Sequence, residues 1–327
     1  MVKENDFSSA LAPYMKMLIE EKRSLGYKYD EEERTYRRFD RYWIQHCKNS
    51  EDIDITQESL YEWLTKKPTE SKSYHGHRVS VIKQLTMYMN SLGLNVYVPL
   101  DKIPKEKVIV HVLDRIEVKE LFNAIDAYSP SSLIPINRFF KLEYPIIFRL
   151  ILVCGLRCGE AVSIRNEDID FSSKTIKLLN SKGQKDRLIY LTDDMTNVLR
   201  RYCKDIAETL GFLPYWTFPG RNSATHISRN SLEFRFRMFW NQTNCSRRCE
   251  KAPTIHCLRH TFTVMRINEW MAQGVDVKVM LPYLSKYLGH ASPSETFYYY
   301  HVIDEAFTAV RKIDHLADYV IPEARRI

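Results

Sequence analysis

Long apolar runs are missing from this 327-residue chain, and no stretch approaches the roughly 20 apolar residues that cross a bilayer. Its first residues, Met1-Val2-Lys3-Glu4-Asn5-Asp6, contain no apolar secretory core, so a cytoplasmic protein with no membrane partner is expected. Cys-x-x-Cys pairs are also missing. The seven cysteines are an odd number, scattered, and read as reduced thiols of core and loops. Cys245, Cys249, His256 and Cys257 come nearest to a metal set, but their spacing fits none of the usual zinc templates. There is no Gly-x-x-x-x-Gly-Lys phosphate loop, no acidic metal cluster, no internal repeat and no low-complexity tract. Neither ATP, a metal nor any other cofactor is expected.

What is present is a soluble, two-domain composition, with 44% hydrophobic and 27% charged residues. Lysine and arginine total 48 against 41 acidic residues, a net charge of +7 that suits a phosphate-bearing partner without demanding one. The first hundred residues carry four helical patterns. Leu11, Tyr14, Met15, Leu18 and Ile19 mark the first, and Asp30 to Cys47 the second. The third is capped at Thr56, and the fourth runs about Ser73 to Leu92. On that last stretch Lys72, His75, His77, Arg78 and Lys83 are candidate phosphate contacts, against the plainer reading of a solvated charged face. Pro99 and Pro104, among alternating charges, mark a linker and a domain boundary near 108.

The second domain, 109–327, opens with a helix over Arg115 to Asp126, followed by an apolar helix around Tyr144 to Cys154 that ends at Gly155. The period then changes to two. Thr175 to Leu179 and Arg187 to Leu191 form a β-hairpin whose tip carries Lys182, Gly183 and Lys185. Helices resume from Asp194. The fold class is therefore mainly α with a small β-hairpin or sheet, a helical domain at 1–108 preceding an α+β domain.

Four fragments of this second domain carry chemistry, and each has a bland reading. Arg157 and Glu160, in Gly-Leu-Arg-Cys-Gly-Glu, offer a phosphate-binding guanidinium with its carboxylate, or a plain surface ion pair. Lys182 is either a mobile acid on a rigid ribbon or a solubilising tip, with Lys185 and Arg187 competing for the same role. His256 and Arg259 share a helix face and can aim at one anion, although His-x-x-Arg alone is a common pair. Leu288-Gly289-His290 closes one helix, and Ser292, Pro293 and Glu295 read as the cap of the next. That helix presents Tyr298, Tyr299 and Tyr300 about 100° apart, so aromatic packing accounts for two of the three.

In this order and spacing, with Tyr299 nine residues beyond His290, the fragments resemble the tyrosine recombinases, or phage-type integrases. The resemblance covers the whole second domain, and the first domain is similar to the family's helical core-binding (SAM-like) DNA-binding domain. It implies Arg157, Lys182, His256, Arg259, His290 and Tyr299 as catalytic residues, with Glu160 in support. Tyr299-Tyr300-His301-Val302 falls where the family usually reads Tyr-Thr-His-Val. Three departures stand out: Ala161 replaces a frequent leucine, Asn241 to Lys251 is an unusual segment holding two of the cysteines, and Tyr300 sets a second tyrosine beside the expected nucleophile. The implied activity is DNA cleavage and rejoining through a 3′-phosphotyrosine, for integration or transposition of a mobile element. The implied partners are double-stranded DNA and a homotetramer on two recombination sites, with accessory proteins allowed. Ile303, Phe307, Val310 and Ile313 form an apolar stripe that docks either on a neighbouring subunit or on its own domain. The alternatives are relaxation of DNA in the manner of a type IB topoisomerase, a non-catalytic DNA-binding protein of the same fold, and more distantly a zinc-binding regulator.

Overall fold

Apolar spacing and polar caps account for the helices of the first hundred residues. The computed structural model describes residues 7–46, 53–100, 103, 110–130, 138–179, 186–221, 223–290 and 292–300. Within these the chain divides into two compact units, 1–109 and 110–327. In the first, α1 (Ala12–Ser24) buries Met15, Leu18 and Ile19 along one face. Asp30, Glu31, Glu32 and Glu33 open α2 (Asp30–His46) at the positive end of its dipole, and Tyr36, Phe39 and Trp43 form its buried stripe. Thr56 caps α3 (Gln57–Leu64) through a reciprocal pair of hydrogen bonds with Ser59. The Ser71 hydroxyl starts α4 (Lys72–Ser91) by accepting from the Tyr74 amide. The four helices close on one core that includes Leu11, Phe39, Trp43, Leu60, Ile82 and Leu85.

Two buried carboxylates fasten this unit. Asp40 accepts from the Ser8 and Ser9 amides at 2.9 and 3.0 Å and from the Ser9 hydroxyl at 2.6 Å, tying the start of the chain to α2. Glu70 receives Nε and Nη2 of Arg78, both at 2.8 Å. Arg78 is only 3% exposed, lies over the Trp63 ring and also donates to the Thr65 carbonyl. It is thus a structural cation, and His75 likewise spends a ring nitrogen on the Leu64 carbonyl at 2.6 Å. Arg78 is therefore not free to meet a phosphate as the sequence pattern suggested, and His75 has one ring nitrogen committed.

In the second unit, Asp114 and Glu117 form a complete capping box at the start of α5 (Arg115–Asp126). The apolar helix α6 (Arg138–Cys154) is the unit's centre and packs against α5, α7 (Cys158–Val162), α8 (Asp193–Leu210) and α10 (His256–Ala272). Phe148, Ile151, Leu199, Phe236, Trp240 and Leu258 are among the residues of that core, Phe236 and Trp240 supplied by α9 (Arg229–Trp240). A smaller cluster joins Phe262 and Ile267 of α10 to Leu281, Leu284 and Leu288 of α11 (Val277–Leu288) and to Tyr299 of α12 (Ser294–Tyr300).

The expected hairpin strands are β2 (Thr175–Leu178) and β3 (Arg187–Tyr190), antiparallel with Ile176 opposite Ile189. A two-residue strand, β1 (Ile169–Asp170), adds to β2, giving the order β1-β2-β3. The mainly helical class with a small sheet therefore holds. The segment from Asn241 to Lys251 is anchored to α5, because Glu120 accepts the amides of Asn244 and Cys245. Among the described residues no helix is long and apolar enough to cross a membrane.

Candidate active site

Two glycine turns build the floor of the site. α6 ends at Gly155 with φ +63°, and a Cβ there would fall 2.4 Å from the Phe262 ring. α11 ends at Gly289 with φ +67°, where a Cβ would lie 2.9 Å from Nη1 of Arg187 and 3.4 Å from Nη1 of Arg157. Both positions need the left-handed backbone that glycine adopts without strain. The reversals turn three carbonyls inward, onto two arginines. Arg259 donates Nη1 to Gly155 O at 2.9 Å and Nη2 to Leu288 O at 2.8 Å. Arg157 donates Nη2 to Gly289 O at 2.7 Å. Two chain segments more than a hundred residues apart are locked together by these guanidinium groups.

Glu160, on the first turn of α7, ties the same arginines to the sheet. Its Oε1 accepts from Nη1 of Arg157 and from Nη1 of Arg187, each at 2.9 Å. Its Oε2 accepts from the Arg157 amide and from Nη2 of Arg187, each at 2.8 Å. Arg259 Nη1 stands 3.8 Å from Oε2. Burial alone would raise the Glu160 pKa, but hydrogen bonding and charge from Arg187, then Arg157, outweigh it and hold the value below normal. Arg187 faces this pair because it shares the inward side of β3 with Ile189, and its Nε is spent on Tyr287 O at 2.8 Å. It is therefore fixed behind the site and does not act as a mobile hairpin cation.

The charge that results favours an anion. Arg157, Arg187 and Arg259 share the single carboxylate of Glu160, so the cluster keeps a net positive charge. Burial, then repulsion from Arg157, lowers the Arg259 pKa to about 10, still well above neutral pH. Three histidines surround the arginines. Burial, followed by the charges of Arg259 and Arg157, holds His256 at about 4. Its ring stays open to solvent, so the arginine charges are the firmer cause. His260 is held at about 3 by burial, then by His256 and Arg259. His290 is also at about 3, through burial, Arg259 and Arg157, and its Nδ1 bonds the fully buried Thr296 hydroxyl at 2.7 Å. All three rings are neutral at pH 7.

Tyr299 enters this group from α12. It is 6% exposed, against 41% for Tyr298, and its hydroxyl lies 2.5 Å from Nδ1 of His260. Burial raises its pKa to about 12, with Arg259 and Arg157 pulling the other way, so the two arginines lie within electrostatic reach of the phenol. The structure thus brings together Arg157, Glu160, His256, Arg259, His290 and Tyr299. Lys182 and Lys185, the Tyr300 side chain and the stripe from Ile303 to Ile313 lie outside the described residues. His260 was not among the expected site residues, and Arg187 was expected only as a rival to Lys182 for the hairpin cation. Their signals were present: His260 is one turn beyond His256 on the same helix face, and Arg187 is in phase with Ile189 on an alternating strand.

Residues 111–306 match the model of the phage integrase family. The chain belongs to the phage integrase family. Its enzyme class is that of the tyrosine site-specific recombinases. A putative integrase/recombinase of Sinorhizobium fredii is 25% identical over 296 residues, covering 90% of this chain and 92% of that protein. A tyrosine recombinase of Thermosipho africanus is 26% identical over 283 residues, covering 85% and 89%. Among solved structures, the Tn1549 transposon integrase in complex with a circular intermediate DNA matches with a TM-score of 0.64 at 18% identity, over 94% of this chain and 99% of that one. A lambda integrase dimer bound to a core site matches with a TM-score of 0.62 at 18% identity, over 89% and 93%. At those identities the structural likeness is one of fold.

Cys245 and Cys249 play no part in the arginine cluster. Cys245 is buried, Cys249 Sγ lies 3.9 Å from Nδ1 of His111, and no group of three or more metal-ligating side chains converges among the described residues. An apolar cavity of about 360 Å³, lined by Val153, Tyr190, Phe262, Trp270, Tyr283 and Tyr287 among others, includes none of the candidate catalytic residues.

Proposed function

We propose that Tyr299 is the nucleophile of a site-specific DNA recombinase and that Arg157 and Arg259 bind the phosphodiester it attacks. The observation that carries this reading is the Tyr299 hydroxyl, the buried one of the neighbouring pair Tyr298 and Tyr299, held within electrostatic reach of Arg157 and Arg259 in a cluster where three arginines share one carboxylate. A phosphodiester carries one negative charge and gains more on its non-bridging oxygens as a fifth oxygen approaches phosphorus. Two guanidinium groups in a cluster with excess positive charge match that developing charge better than the ground state, which is the condition for lowering the barrier. Removing one such donor typically costs about 2.7–4 kcal/mol of transition-state stabilisation. His256 and His290, neutral at pH 7, serve as hydrogen-bonding groups to the phosphate and leave the cationic work to the arginines.

Bond making and breaking follow directly. The Tyr299 oxygen bonds to phosphorus, the P–O5′ bond breaks, and a 3′-phosphotyrosine and a free 5′-hydroxyl result. Lys182 is assigned as the acid that protonates the leaving 5′ oxygen, and Glu160 as the group that orients Arg157. The ester conserves the bond, so a second 5′-hydroxyl can attack it and reseal the strand without ATP. Residues 1–108 are assigned as the core-binding domain on double-stranded DNA and 109–327 as the catalytic domain. The working assembly is a homotetramer on two sites in the cytoplasm. The biological role is integration or transposition of a mobile element, in keeping with the integrase/recombinase relative.

The test uses nicked duplexes drawn from the DNA flanking its gene, which trap a covalent adduct visible on a denaturing gel. Wild type and Tyr298→Phe and Tyr300→Phe variants form the adduct, and Tyr299→Phe does not. An adduct retained by Tyr299→Phe refutes the assignment.

A further inference from the structure

We infer that His260 is a catalytic residue of the strand-cleavage step, accepting the Tyr299 hydroxyl hydrogen bond at Nδ1 and taking up that proton as the tyrosine oxygen bonds to phosphorus. The inference rests on Tyr299 being the nucleophile. Its basis is geometric. Nδ1 of His260 lies 2.5 Å from the Tyr299 oxygen, and the two rings are 5.4 Å apart and tilted by 41°. His260 is held in turn by the His256 ring, 4.5 Å away and nearly perpendicular, one turn earlier on α10. No other hydrogen-bond partner of the Tyr299 hydroxyl is present among the described residues.

The direction of the bond follows from protonation. His260 is neutral at pH 7, and the Tyr299 phenol is un-ionised. A neutral imidazole has one acceptor nitrogen and a phenol has one donor hydrogen, so the phenol donates to Nδ1 and the ring proton resides on Nε2. This points the phenolic hydrogen into the protein and leaves the oxygen lone pairs for phosphorus. Without that acceptor the hydrogen would occupy part of the arc that the phosphate must enter.

The proton balance closes within the reaction already assigned. One proton passes from the tyrosine oxygen to Nδ1 while the P–O5′ bond breaks, and His260 becomes an imidazolium. The 5′ oxygen receives its proton from a separate donor. In resealing, the imidazolium returns the proton to the departing tyrosine oxygen. The site is also switched by its substrate. His256, Arg259 and His290 all oppose a positive charge on His260. A phosphodiester anion between Arg157 and Arg259 opposes that effect and makes Nδ1 a better base once DNA is bound.

Four full-length proteins test this: wild type, His260→Asn, His260→Gln and His260→Leu. Each is assayed for single-turnover adduct formation on the trapped nicked duplex, for affinity to the same duplex, and for melting temperature. Asparagine places an amide oxygen near the Nδ1 position, whereas glutamine places one near Nε2. His260→Leu is expected to slow adduct formation about 10²–10⁴-fold, the usual range for a lost acid–base group. His260→Gln stays slow, His260→Asn, whose amide oxygen accepts the hydrogen bond but cannot take the proton, recovers at least tenfold over leucine yet stays below wild type, and DNA affinity changes less than threefold throughout. A duplex with sulfur in place of the bridging 5′ oxygen, whose leaving group needs no proton, should leave the leucine variant as slow as before. Equal rates for asparagine and glutamine, or rescue of leucine by the sulfur substrate, would overturn the inference. If Tyr299→Phe still forms the adduct, it is the nucleophile assignment that fails, whatever the His260 series shows.

Discussion

Glu160→Gln removes a single charge and keeps the shape of the side chain. The wild-type carboxylate accepts four hydrogen bonds, two on each oxygen, from Arg157 and Arg187. A glutamine has one oxygen, so at best two of the four survive, and its amide hydrogens meet donors on the other side. Arg187 suffers most, because its side chain is 9% exposed and has no other carboxylate partner among the described residues. Removing one member of a buried ion pair typically costs about 3–5 kcal/mol. A domain of this size loses about 2–4 °C of melting temperature per kcal/mol. The expected loss is thus about 6–20 °C in thermal unfolding followed by circular dichroism. Arg157 keeps its bond to Gly289 O but loses its lateral support, so adduct formation should fall roughly tenfold to a hundredfold, as small misplacements do. Adding Arg187→Met removes the orphaned charge, and the double variant should melt above Glu160→Gln alone. A Glu160→Gln protein melting within about 2 °C of wild type would refute the reasoning. So would a double variant that is less stable than the single one.

Other outcomes follow from the same geometry. Gly155→Ala should lose more stability than Gly289→Ala, because its methyl group meets the Phe262 ring at 2.4 Å, whereas Gly289→Ala should lose more activity because it presses on Arg187 and Arg157. Melting curves and adduct rates on both variants check the crossing of the two effects. The three site histidines have folded pKa values of about 3 to 4, below the unfolded value near 6.5, so the unfolded chain binds more protons between those limits. Their contribution is fully present above pH 6.5 and is lost as pH falls toward 4. His260→Asn should therefore lose less melting temperature between pH 7 and pH 5 than wild type does. Glu143 is fully buried beside Tyr202, and burial, partly offset by Tyr202, raises its pKa well above normal. Its folded value lies above its unfolded one, so wild-type stability is lost as pH rises, by up to about 1.4 kcal/mol per pH unit between the two values. Glu143→Gln should raise the melting temperature at pH 8 and leave it unchanged at pH 4; an equal change at both would contradict the assignment of a neutral acid.

Legibility in the sequence tracked how local the controlling interaction was. α5 runs over the expected residues, Arg115 to Asp126, because Asp114 and Glu117 close its capping box within four positions. α6 begins at Arg138, earlier than its expected start near Tyr144, and carries Pro145 inside. A proline there reads as a boundary, although tertiary packing of a long apolar face holds the helix through it. β1 has two residues, too few to show any period. Ser292 was expected to cap α12, and its hydroxyl does accept the Ser294 amide, at 3.3 Å. The arginines and histidines that order and spacing marked out do converge, but the bonds that hold them could not be read. Arg259 depends on the carbonyls of Gly155 and Leu288, and Arg187 on the Tyr287 carbonyl a hundred residues away. The tie between His260 and Tyr299 spans 39 positions and has no local signature.

The most direct measurement is to digest the trapped protein–DNA adduct and locate the nucleotide-bearing residue by tandem mass spectrometry. The expected result is one modified peptide, with the residual 3′-nucleotide attached through phosphate to the Tyr299 oxygen. Attachment to Tyr298, to Tyr300 or to any residue outside α12 would contradict the assignment of the buried tyrosine at His260 as the nucleophile.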